Sequence, residues 1–162
     1  MQVRTIATLI LLSVAQAAWQ HGRLPETVAS HFDASGKANG WMPRGAQTAW
    51  HIGTVLFMAA LFEGLARINR LIPDELINIP HRGYWLAPVR RADTFARLAN
   101  MVRLMGCLLL VFFMGLFRQV YRANTGGGFI TQAVVLMSAA LLVSLAAVGF
   151  ASLRRFSRPP LA

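Results

Sequence analysis

Four long apolar stretches dominate the chain: roughly residues 3–19, 47–68, 99–120 and 129–153. About 20 mostly apolar residues in a helix are needed to cross a bilayer. The third stretch has an uncharged centre from Leu104 to Phe117, and the fourth is uncharged throughout. Gly126-Gly127-Gly128 stands before the fourth as a turn signal. The pattern predicts an all-α polytopic membrane protein, one membrane domain over 1–162 with four transmembrane helices. An outer loop (20–46) and an inner loop (69–98) separate the spans. The first stretch has a rival reading as a signal peptide, with Met1 to Arg4 as its basic start and Ala15-Gln16-Ala17 as a cleavage site. We take it as a retained helix.

Composition narrows the class. The 162 residues are 56% hydrophobic and 14% charged, with a formal net charge of +10. An ordinary soluble domain carries about 25% charged residues. So few charges among so many apolar residues exclude disorder and an ordinary soluble enzyme. They also argue against nucleic acid as a partner, despite the basic balance. Fifteen of the sixteen basic residues are Arg. With four spans and both termini cytoplasmic, eleven of the sixteen fall inside and five outside; the inverse topology would reverse this. Basic residues mark cytoplasmic flanks, so N-in, C-in in a bacterial cytoplasmic (inner) membrane is expected. The charge reports topology, and attraction to anionic lipid headgroups, before any specific ligand.

The outer loop carries the most distinctive residues. Leu24-Pro25-Glu26-Thr27 reads as a helix or turn start, and Val28 to Phe32 as a short strand. Asp33-Ala34-Ser35-Gly36 is turn chemistry, because Asp caps turns and Gly supplies positive φ. Asn39-Gly40 is a second turn signal before Trp41-Met42-Pro43. A small β-hairpin on the membrane surface results. Trp19, Trp41 and Trp50 fall where an aromatic belt would lie. Leu24-Pro25, His31-Phe32, Gly36 and Gly40-Trp41-Met42-Pro43-Arg44 resemble the LP…HF…G…GW…K/R pattern of a bacterial domain of unknown function. That domain forms the N-terminal part of SdpI-type immunity proteins. The resemblance covers about residues 5–68. The segment Asn78 to Pro88 with Arg90-Arg91 also looks like small membrane proteins that carry this domain.

The resemblance implies a helix, an outer loop bearing the motif and a second helix. It also implies immunity to a secreted toxic peptide, or signalling through a membrane-tethered regulator. The site would be Pro25, His31, Phe32, Gly36, Gly40 and Trp41. This chain departs from the full SdpI arrangement in having four expected spans. His21, His31 and His51 could be metal ligands, since imidazole suits Zn or Cu, but spacings of 10 and 20 residues match no ligand pattern. The preferred roles are packing of the hairpin for His31 with Phe32, and interfacial anchoring for His51.

In the inner loop, helical periodicity begins at Pro88, a favourable first-turn residue. Phe95, Leu98, Val102 and Met105 form one apolar stripe, with Arg90, Arg91, Asp93 and Arg97 largely off it. Asp93 and Arg97 have the spacing of an i,i+4 pair. This reads as an amphipathic interfacial helix running into the third span. Its basic arm, Arg90, Arg91 and Arg97, would meet lipid headgroups or an acidic partner.

Inside the spans, Glu63 is read as an i,i+4 partner of Arg67. Cys107 is a lone, buried thiol. Ala140, Ser144, Ala147 and Ala151 make a small-residue stripe suited to close helix packing. No nucleophile elbow, HExxH helix, CxxC pair or P-loop occurs, so no catalytic residue and no cofactor is expected. The remaining alternative is a non-catalytic accessory subunit of a larger membrane complex.

Overall fold

The computed structural model describes residues 2–129 and 131–157. Helix α1 (Gln2–His21) leads to an antiparallel hairpin of β1 (Thr27–Phe32) and β2 (Ala38–Pro43). Helix α2 (Arg44–Ile68) follows. Two short 3₁₀ turns and the single-turn α3 (Arg82–Trp85) lead to α4 (Pro88–Asn124), and α5 (Thr131–Phe156) ends the described chain. Three helical segments are long and apolar enough to cross a membrane: Arg44–Leu71, Pro88–Asn124 and Thr131–Phe156. The first expected span is helical, but it is not among these three. Arg4, Gln16 and Gln20 dilute its apolar character. Arg158, counted above with the cytoplasmic flank, lies outside the described residues.

One boundary differs from the sequence pattern. Helix α2 starts at Arg44, three residues before the apolar run, because the chain turns straight out of β2 at Pro43 into the helix. The inner amphipathic helix and the third span are one helix of 37 residues, with Pro88 in its first turn. No Pro interrupts the polar-to-apolar transition, and the helix runs through Gly106 without a break.

Helix α4 packs against α1, α2 and α5. Ile6, Val55, Ala59, Cys107 and Leu110 form a core shared by α1, α2 and α4. Gly106 permits the closest approach of α2. A Cβ there would lie 2.7 Å from Cβ of Phe62, inside contact distance. At the same level Glu63 is held twice. The Arg67 Nε donates to it at 2.9 Å, as the spacing predicts. Arg103 on α4 adds a two-pronged bond at 2.8 and 3.0 Å. The sequence gives no warning of this second partner, which lies 40 positions away.

The bundle has two distinct ends. The hairpin and the Gly126–Gly128 turn share one; at that turn Gly126 (φ 85°) and Gly128 (φ 65°) adopt the left-handed conformation. The segment after α2, α3 and the end of α5 share the other. Trp85 Nε1 donates to the Phe156 carbonyl at 2.7 Å, and the two rings meet edge to face at 5.4 Å.

The basic arm is internally engaged. Arg90 stacks over Tyr84 at 3.8 Å and donates to its carbonyl. Arg91 bonds Asp74 at 3.0 Å and lies over Phe95. Arg97 pairs with Asp93 at 2.7 Å. The apolar stripe begins well buried at Phe95, which packs with Ile77 and Leu86.

The small-residue stripe of α5 sits beside its packed face rather than on it. Ala140, Ala147 and Ala151 are exposed, and Ser144 is half-buried. All four line gaps between α5 and α4, with Met137, Leu141 and Val148 beside them.

Replacing Arg103 with Gln leaves Glu63 with Arg67 alone. Thermal unfolding in detergent should show a loss of about 1–3 kcal/mol, the scale for a charged group deprived of a hydrogen bond. Arg67→Gln should cost clearly less, because its side chain is mostly solvent-facing.

Candidate functional site

The hairpin is fastened to three helices. Val28, fully buried, packs with Leu24 and with Val120 of α4. The Asn124 side chain acts as a surrogate strand. Its Oδ1 accepts the Ala29 N–H at 2.8 Å, and its Nδ2 donates to the Ala29 carbonyl at 2.9 Å and to Val120 at 2.8 Å. Arg44 donates through its backbone to Glu26 and through its guanidinium to Leu24. Phe32 stacks on Phe129 with centroids 4.2 Å apart.

The hairpin turn is the Asp33–Lys37 segment. Asp33 Oδ1 accepts the Ser35 hydroxyl at 2.6 Å and the N–H groups of Ser35 and Lys37 at 2.9 and 3.0 Å. These bonds, the Ser35 hydroxyl first, hold the Asp33 carboxyl below its ordinary value. Gly36 has φ 83°, and a Cβ there would lie 2.8 Å from Thr131 Oγ1. Both the turn and its seat on the start of α5 therefore require glycine.

Asn39-Gly40 is not a second turn. Both residues lie within β2, where Gly40 pairs with His31 across an irregular register. A Cβ on Gly40 would lie 3.0–3.2 Å from the His31 side chain, so the glycine makes room for a ring lying across the ladder. Close approach, not turn chemistry, explains this residue. Of the other motif residues, Pro25, His31 and Trp41 are exposed; Trp41 is 60% exposed.

The three histidines part company. His21 bonds Thr48 at 2.8 Å, and His31 bonds Ser30 at 2.9 Å. His51 shares a 3.0 Å hydrogen bond with Ser13 and stacks on Phe117 with centroids 4.0 Å apart. His51 is thus a buried linker of α1, α2 and α4 rather than an interfacial anchor. Its position two turns into α2 carries it into the bundle. No cluster of three metal-ligating side chains occurs among the described residues.

Beneath the hairpin, α2 and α4 diverge to leave a crevice of about 570 Å³. Ser30, His31 and Met42 form its roof. Gln47, Trp50, Thr54 and Phe57 supply one wall, and Phe113, Leu116 and Phe117 the other. Sequence reasoning missed this crevice. The spacing of Gln47, Trp50, Thr54 and Phe57 does place them on one helix face, which was the available signal.

Residues 8–58 match the family model of a domain of unknown function, DUF1648. The match covers α1 from Thr8 onward, the hairpin and α2 as far as Met58, and the hairpin and α2 supply the roof and one wall. No curated protein and no solved structure matches the chain.

Asn124→Ala should free Ala29 and speed its amide exchange, with a local cost of about 1–3 kcal/mol, while the helices unfold as before. Because the Asp33 carboxyl is lowered on folding, its contribution is fully present above about pH 4 and is lost as pH falls through the folded value. Protection of the Ser35 and Lys37 amides, taken relative to the intrinsic exchange rate at each pH, should fall only on such acidification, and Asp33→Asn should abolish that dependence.

Proposed function

We propose that this is a non-catalytic, four-span membrane protein of the SdpI-like type. In this reading both termini are cytoplasmic in a bacterial inner membrane, and the hairpin is an outer recognition element. The protein serves immunity to a secreted toxic peptide or signalling. The observation that carries the reading is the two-sidedness of the hairpin. Its back is locked by Asn124, Arg44 and Phe129, while Pro25, His31 and Trp41 are left exposed on a rigid support. A pre-organised aromatic and imidazole surface suits binding, since little ordering entropy remains to be lost.

Two further observations support the topology. Helix α1 contacts its neighbours along its length, from Ile6 in the shared core through Ser13 on His51 to His21 on Thr48, so it runs the depth of the bundle beside α2. The end opposite the hairpin carries most of the Arg residues, which favours placing it in the cytoplasm. The arm there is braced by Tyr84, Asp74 and Asp93. Exposed portions of its guanidinium groups would serve as the contact with anionic headgroups or a regulator.

One observation favours the second reading, an accessory subunit. Leu136, Leu142, Val143 and Phe150 of α5 are widely exposed, and the small residues Ala140, Ala147 and Ala151 flank its packed face. A neighbouring helix could approach closely there.

Deleting the gene in its own bacterium should sensitise cells to their spent medium, and Trp41→Ala should fail to restore growth; unchanged sensitivity would remove the immunity reading. In a Cys107→Ala background, a membrane-impermeant maleimide should label Ser35→Cys but not Ser157→Cys on intact cells. The reverse pattern would invert the topology. A larger hetero-complex in mild detergent, lost with Ala140→Leu and Ala147→Leu, would favour the subunit reading instead.

A further inference from the structure

The crevice beneath the hairpin is built for an occupant. Its volume of about 570 Å³ lies within the range of about 300–1,000 Å³ typical of small-molecule sites. Its polarity is graded. Ser30, His31 and Gln47 stand at the roof end, and Phe57, Met58 and Phe113 lie deeper. Gln47 is only 6% exposed. Among the described residues its side-chain amide makes no hydrogen bond, although it lines the crevice. Buried polar side chains are nearly always hydrogen-bonded, so this amide, which borders both the crevice and the small gap beside His51, is open to a partner from an occupant.

The roof and the mouth say where an occupant enters. The two strands close the crevice from the hairpin end, whereas Trp50 (66% exposed) and Phe57 (61% exposed) edge it along the side of the bundle. In a helix that spans a membrane, that side faces lipid. Exposed tryptophans mark the interfacial level, and lipid ester carbonyls lie at that level.

We infer that the crevice holds one acyl chain of a membrane phospholipid. The chain lies between Phe57, Met58 and Phe113, and its ester carbonyl accepts a hydrogen bond from the Gln47 amide. A peptide arriving from water would have to pass the roof, and nothing in the crevice supplies a charged partner for a peptide terminus. The inference goes beyond the recognition role proposed above, and it stands whatever docks on the exposed face of the hairpin.

The test uses the full chain in nanodiscs of a phospholipid whose acyl chain carries a diazirine, with cross-linked peptides mapped by mass spectrometry. Labelling should concentrate on residues 50–58 and 113–117, well above the lipid-facing α5 residues Leu136 and Val143. Thr54→Phe, which fills the crevice, should reduce labelling there severalfold and leave α5 unchanged. Gln47→Leu keeps the cavity but removes the anchor. It should lower the fraction of protein retaining a phospholipid in native mass spectra by up to about tenfold, the effect of one hydrogen bond. Should Thr54→Phe fail to fold, the Gln47→Leu comparison decides alone. Crevice labelling no greater than that of α5, phospholipid retention indifferent to Gln47→Leu, or a co-purifying peptide or free fatty acid in place of phospholipid would overturn the inference.

Discussion

Helix α4 runs unbroken for 37 residues, about 55 Å at 1.5 Å per residue, and every other helix of the bundle is positioned against it. Its Gly106 sets how near α2 can come, its Arg103 holds Glu63, and its Asn124 holds the hairpin. One rigid rod therefore transmits a fixed geometry from the segment around α3 at one end to the hairpin at the other. The backbone of such a rod satisfies its own polar groups, a requirement for any segment within a membrane. Side chains are then free to make the cross-links.

Those cross-links follow a consistent logic. Several polar side chains drawn into the bundle meet another element. Ser13 meets His51, Gln16 donates to the Met114 carbonyl, and Glu63 meets Arg103. Away from water a hydrogen bond strengthens and an unmet polar group becomes expensive. Each pair therefore both stabilises the bundle and fixes its register. On the hairpin side Gln20 Nε2 is buried without a partner, and Gln47, which makes no hydrogen bond among the described residues, borders the crevice. The proposed acyl-chain site rests on the Gln47 amide together with the crevice beside it.

The hairpin shows how a short motif divides its work. Gly36 and Gly40 are needed because neighbouring side chains occupy the space of a Cβ, and Phe32 because it stacks on Phe129. Pro25 and Trp41 are not used up by such packing and remain exposed, while His31 lies against Gly40 and lines the crevice. The DUF1648 match over residues 8–58 spans both groups, so structure and presentation belong to the same stretch.

Apolar run length, charge and turn chemistry determined the helical bundle, the membrane class, the hairpin strand at Val28–Phe32 and the Arg67–Glu63 and Asp93–Arg97 pairs. These are local properties, fixed by residues within one or two turns of each other. The tertiary structure alone decided the rest. It made Asn39-Gly40 a strand, because the reason for Gly40 is His31 on the facing strand. It buried His51, brought Arg103 to Glu63, gave Asn124 its strand-like role and placed Gln47 over a crevice. Each of these depends on residues between 9 and 95 positions apart. Periodicity reports which face a residue occupies, but not which neighbour will stand opposite it.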